Sequence, residues 1–108
     1  MRFVERKVLE VLLAEAAKEG YYPEVIGAFG CDGEDGATIS QDRMQTRVII
    51  EHVNAWDADS VLTFRHVDED STFWVHLVWG NGVDVIHDYC VHPDADRIIL
   101  AVNKEVEA

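Results

Sequence analysis

Basic residues are scarce in this sequence. Nine Lys and Arg stand against 21 Asp and Glu, a formal charge of -12. No basic residue occurs between Arg65 and Arg97, a window that holds Asp68, Glu69, Asp70, Asp84, Asp88, Asp94 and Asp96. Coulomb repulsion opposes contact with phosphates, so direct nucleic-acid binding is not expected. Long apolar runs are missing too. Nothing approaches the ~20 residues that a membrane helix needs. Glu5, Arg6, Lys7 and Glu10 interrupt the stretch that a signal peptide keeps apolar. A cytoplasmic chain that does not enter the membrane is the expectation. Cysteine is limited to Cys31 and Cys90, with no CxxC. In a reducing compartment these read as free, buried small hydrophobes. Catalytic signatures are absent: no GxSxG, no phosphate loop and no HExxH. A cysteine and a histidine can form a nucleophile and base. With two cysteines and five histidines such pairs arise in any chain, so they single out nothing. The reading points away from an enzyme and calls for no cofactor.

What is present is enough for a core. The 108 residues are 48% apolar and 9% aromatic. That suits one α+β domain spanning residues 1–108, of the usual single-core size. Its centre is Ser60 to Tyr89, SVLTFRHVDEDSTFWVHLVWGNGVDVIHDY. Three runs rich in Val, Ile, Thr, Phe and Trp are parted by Asp68 to Ser71 and by Gly80-Asn81-Gly82, the pattern of an antiparallel meander.

The flanks read as helices. Val4, Val8, Val11 and Leu12 recur at helical spacing over 3–19, with Leu9 and Ala16 widening the stripe and Gly20 as the stop. Tyr21-Tyr22-Pro23 is an extended lead-in to a short strand, 24–29. Gly30 to Gly36 is an acidic loop. As a calcium loop it fails, because a frame starting at Asp32 puts Gly36 at position 5 and one starting at Asp35 puts Ala37 at position 3. Ser40 is an expected N-cap for a helix to about Ala55, with Ile49, Val53 and Trp56 as its stripe. Pro93 opens a last helix, with Asp94 and Asp96 in its first turn and Ala95, Ile98, Ile99, Val102 and Val106 facing inward. The order is α-β-α-β-β-β-α. It predicts a two-layer sandwich: a mostly antiparallel sheet of three to four strands with three helices.

Pairing across the acidic turn sets Val67 opposite Thr72. Leu62, Phe64, His66, Phe73, Val75, Leu77 and Trp79 then form the core face. Thr63, Arg65, Val67, Thr72, Trp74, His76 and Val78 form the other. The third strand has two registers. A two-residue Asn81-Gly82 turn sets His76 opposite His87 and Trp74 opposite Tyr89, but drives Asp84 and Asp88 into the core. A three-residue Gly80-Asn81-Gly82 loop sends both aspartates out and turns His87 and Tyr89 in. Burying two carboxylates is the larger penalty, so the longer loop is preferred. In the first register His76 and His87 are candidate metal ligands, still short of the three or four that zinc takes. The run His87-Asp88-Tyr89-Cys90-Val91-His92 adds suitable residue types without a recognised metal spacing.

The stretch Leu77 to Tyr89, LVWGNGVDVIHDY, preceded by Ser60 to His66, resembles small uncharacterised proteins carried by phages, prophages and plasmids. They share a hydrophobic strand, a Gly-Asn-Gly turn, V-D-V-I and an Asp-aromatic pair before a last helix. His87 departs from the small polar residue expected there. The resemblance implies a mobile-element origin and brings no activity with it.

The expected function is therefore partner-protein binding without catalysis, through Trp74, Arg65 and His76 on the outer sheet face, since exposed aromatics beside arginine are enriched at interfaces. The partner is a protein, and the charge favours a basic one. One alternative is an acidic nucleic-acid mimic that blocks a host nucleic-acid-binding protein. Another is a metal-binding protein or enzyme using His76 and His87. Strand 24–29 is expected beside 61–67, leaving 83–89 as an outer edge. Asp84 and Asp88 guard that edge, which predicts a monomer or weak dimer.

Overall fold

The computed structural model describes residues 3–28, 38–56, 59–80 and 84–107, without the side chains of residues 38, 39, 55, 56 and 107. The acidic stretch Gly30 to Gly36, with Cys31, lies outside them, as do Asn81, Gly82 and the side chain of Trp56. The fold is α+β. Helices α1 (Phe3–Lys18), α2 (Thr46–Trp56) and α3 (Pro93–Glu107) accompany strands β1 (Tyr21–Ala28), β2 (Thr38–Ser40), β3 (Ser60–His66), β4 (Thr72–Leu77) and β5 (Ile86–Tyr89). Every pairing is antiparallel, and the sheet order is β2-β1-β3-β4-β5. The strand expected at 24–29 does lie beside β3, and β5 is an outer edge. The three-residue β2 is an extra edge strand. No described helix is long and apolar enough to cross a membrane.

Ser40 is not a helix cap. Its backbone pairs with Val25. The chain then stays on β1, with Gln41 N–H donating to Glu24 O and Met44 N–H to Pro23 O, each at 2.9 Å. Arg43 takes φ +52° within this segment. The return buries Met44 in the core, so α2 cannot start before Thr46. Pro23, which has no N–H to give a ladder, sits beside a bulge between Pro23 and Val25.

The α1 stripe is the expected one at Val8, Leu9, Leu12 and Ala16, with Val11 half-buried, but not at its first position. Val4 is 40% exposed, while Glu5 is 1% exposed and lies with Val8, Leu9, Leu12 and Ala16. The Glu5 carboxylate accepts the Gly80 N–H through Oε2. A charge-assisted bond and the positive end of the helix dipole offset the cost of burying that carboxylate. α3 starts at Pro93 as expected and buries Ala95, Ile98, Ile99 and Val102, with Val106 half-buried.

Arg65, not Val67, faces Thr72. The hairpin is two residues out of the expected register, and its loop is correspondingly longer. Val67 N–H leaves the ladder for Gly20 O at 2.9 Å. His66 Nδ1 accepts the Asp68 and Glu69 N–H groups, each at 3.1 Å. An even shift preserves the faces, so Leu62, Phe64, Phe73, Val75 and Leu77 are still buried.

Strand β5 follows neither single register. Leu77 faces Ile86, as a two-residue turn requires, but His76 faces Asp88 and Val75 faces Tyr89, with a bulge between them. His87 is the additional residue. It is exposed rather than turned to the core. The bulge turns Asp88 to solvent while Leu77 keeps its pairing with Ile86, and Asp84, which precedes β5, is exposed as well. Both carboxylates are thus exposed at or beside the outer strand β5, where they are expected to discourage pairing with a second copy. Replacing them together by Asn should increase self-association at low salt, since like charges opposed across an added strand cost about 0.2–1 kcal/mol per pair. Sedimentation is the check, and an unchanged sedimentation coefficient would contradict the edge argument.

Candidate functional site

Helices α1 and α3 lie over one face of the sheet. The core residues of β3 and β4 point toward them, and α2 adds Ile49 and Val53 to the same core. The alternating residues of the strands face the other way. On that face the ladder places Val61 opposite His76, Thr63 opposite Trp74 and Arg65 opposite Thr72. His76 in turn faces Asp88. Trp74 is 38% exposed. Val61, Trp74, His76 and Asp88 line a cleft of about 330 Å3.

Of the three binding residues read from the sequence, Trp74 and His76 meet in this cleft. Arg65 shares the face but is held inside the chain. Its Nε donates to Glu24 Oε2 at 2.6 Å, and its Nη1 lies 3.7 Å from Asp70 Oδ1. The Glu24 carboxylate raises the Arg65 pKa further, chiefly through that hydrogen bond. Val61 and Asp88 escaped the sequence reading as cleft residues. Alternation signals the outward position of Val61, but only the bulge brings Asp88 opposite His76.

His76 and His87 are neighbours. Their rings meet edge to face, with centroids 5.1 Å apart and planes at 85°. That is aromatic contact geometry. His76 Nε2 also lies 3.9 Å from Asp59 Oδ2. Among the described residues no group of three or more His, Cys, Asp or Glu is placed to hold a metal ion. Cys90 is a half-buried free thiol whose sulfur accepts Trp74 N–H at 3.4 Å.

A second polar cluster lies at the opposite end of β4. Tyr21, 2% exposed, packs edge-on against Phe73, His66 and His92, with centroids 4.8, 5.0 and 6.1 Å away. Its hydroxyl donates to Asp94 Oδ2 at 2.7 Å and lies 2.8 Å from Ser71 Oγ. Ser71 Oγ is 2.9 Å from His92 Nε2. A serine and a histidine at that separation suggest a nucleophile and its base. The proton directions say otherwise. His92 Nδ1 accepts Asp94 N–H at 3.1 Å, so the neutral ring carries its proton on Nε2 and donates to Ser71. Ser71 donates to Tyr21, and Tyr21 to Asp94. In this wiring His92 donates to Ser71 and does not act as its base. The ring is a clasp joining β1, the 67–71 loop and the start of α3, with His92 as the N-cap of that helix.

Electrostatics follow this wiring. The Tyr21 hydroxyl holds the Asp94 carboxyl below its ordinary range, and Arg97 adds to the effect. Burial raises the Tyr21 pKa, and Asp94 raises it further. Tyr21 thus stays a donor throughout the neutral range. The chain matches no protein-family model, no curated protein and no solved structure.

Proposed function

We propose that this protein is a small acidic non-catalytic protein of mobile-element type, and that it binds a partner protein on the sheet face opposite α1 and α3. One observation carries the reading: Trp74 stands 38% exposed on that face beside a cleft. A large aromatic left in water on a sheet face is the side chain most often found at interface hot spots. The net charge of -12 favours a basic partner.

The nucleic-acid decoy is the weaker reading. A decoy needs carboxylates in a phosphate-like row. Among the described residues, exposed acids occur on α1, in the 68–70 loop, near β5 and on α3. Several are already paired internally, as in Glu10 with Arg6, Glu24 with Arg65 and Glu19 with Arg97. The metal or enzyme reading has two neighbouring imidazoles in its favour, in edge contact and with no third described ligand.

The test is affinity capture from a bacterial lysate with the native chain and Trp74→Ala side by side, after circular dichroism has established equal folding. Loss of a hot-spot tryptophan should cut capture of the specific partner by about tenfold or more. Equal capture by both chains, or capture of nothing by either, would overturn the proposal.

A further inference from the structure

The cleft has a definite chemistry. Val61 supplies an apolar surface, Trp74 an aromatic wall and Asp88 a carboxylate, with His76 between them. Asp88 Oδ1 accepts the neighbouring Tyr89 N–H at 2.8 Å. Oδ2 remains for a partner. Among the described residues, the Lys and Arg side chains that form ion pairs are Arg6, Lys18, Arg65 and Arg97, and their acids are Glu10, Glu15, Glu24, Asp70, Glu19 and Asp94. None serves Asp88. On this sheet face Glu24 and Asp70 hold Arg65, and Arg43 lies over the Tyr22 ring, 5.3 Å from its centroid. A second carboxylate, Asp59, stands 3.9 Å from His76 Nε2 and adds negative potential at the β3 side. At about 330 Å3 the cleft lies at the small end of ligand sites, which run from roughly 300 to 1,000 Å3. It is sized for one or two side chains.

We propose that this cleft is a cation site that takes an arginine side chain from a basic peptide segment of the partner. The inference rests on the reading that the sheet face opposite α1 and α3 binds a protein, and it names the chemistry that this face selects. Guanidinium meets every feature of the site. Its planar face stacks on the Trp74 indole, where the ring quadrupole attracts a cation. Its fork of N–H donors matches the Asp88 carboxylate. Its aliphatic stem covers Val61. Lysine satisfies the charge but neither the stacking nor the fork, so arginine is preferred. An acidic peptide is excluded by the two carboxylates.

The experiment is a proton–nitrogen NMR titration of the full chain with acetylated, amidated tri-arginine, with tri-citrulline as the uncharged counterpart. Saturable shifts are expected at Val61, His76, Asp88 and the Trp74 indole N–H, and none with tri-citrulline. Asp88→Asn should weaken tri-arginine binding about fivefold, the size of one partly exposed ion pair. Trp74→Ala should weaken it about tenfold. Sedimentation of Asp88→Asn at NMR concentration separates weakened binding from self-association. Shifts spread over the whole acidic surface, equal shifts with tri-citrulline, or both variants binding like the native chain would overturn the cation site. The two proposals fail separately. Trp74-dependent capture without localised tri-arginine shifts keeps the binding face and removes the arginine assignment. Localised shifts without Trp74-dependent capture keep the cation site and remove the partner-protein reading.

Discussion

Gly20→Ala should destabilise the protein by about 3 kcal/mol. Two independent causes add. Gly20 ends α1 at φ +88°, in the left-handed region where a Cβ is strained. A Cβ there would also come within 2.6 Å of His66 Nε2. The imidazole cannot simply swing away, because Nδ1 of the same ring holds the Asp68 and Glu69 N–H groups. Displacing it frees the 67–71 loop, which is also tethered by Val67 N–H to Gly20 O at 2.9 Å. For a chain of this size each kcal/mol is worth about 4–8 °C of Tm. Calorimetry on Gly20→Ala and on Gly20→Ala/His66→Ala separates the causes. The clash disappears in the double variant, so alanine at position 20 should cost less in the His66→Ala background than in the native one. An equal cost in both backgrounds would leave the φ strain as the whole effect.

Tyr21→Phe should cost about 2 kcal/mol at neutral pH, because the lost hydroxyl serves an ionised acceptor. It removes the donor to Asp94 Oδ2 and the acceptor for Ser71 while leaving the ring contacts in place. The loss should depend on pH. Asp94 is held below its ordinary pKa, first by the Tyr21 hydroxyl. The unfolded chain therefore binds more protons than the folded one over the acid window. Stability from this group is complete above about pH 4 and is lost as pH falls through the folded pKa. Tyr21→Phe lets Asp94 return toward its ordinary value, so the native chain should lose more stability than the variant between pH 7 and pH 3. Urea unfolding at the two pH values measures it. An equal deficit at both would mean that the hydroxyl acts without Asp94.

Sequence and structure agree where the signal is local. Pro93 with Asp94 and Asp96 marks the start of α3, because N1 proline and first-turn acids satisfy a helix N-terminus without help from the rest of the chain. Gly20 stops α1 for an equally local reason. The burial of Glu5 in place of Val4 and the start of α2 were not legible. Glu5 is hydrophilic in any scale, and its contact with Gly80, 75 residues away, is not written in the helical pattern. Ser40 has the chemistry of a cap, yet pairing with Val25 uses its backbone first.

Alternation along Ser60–His66 and Thr72–Leu77 by itself determined which residues enter the core and which stand outside. That assignment survives a two-residue error in register, because side chains return to the same face every second position. It is also why Trp74 and His76 were legible as outer-face residues. What only the tertiary structure decided depends on residues remote in the chain. Tyr21, read as mere lead-in, becomes the centre of the clasp through partners 50 and 73 residues away. The cleft needs Val61, Trp74 and Asp88 from three strands, and Asp88 reaches it only through the bulge at His87. Local propensity carries no information about such meetings. They are settled when the sheet closes and every buried polar group must find a partner at once.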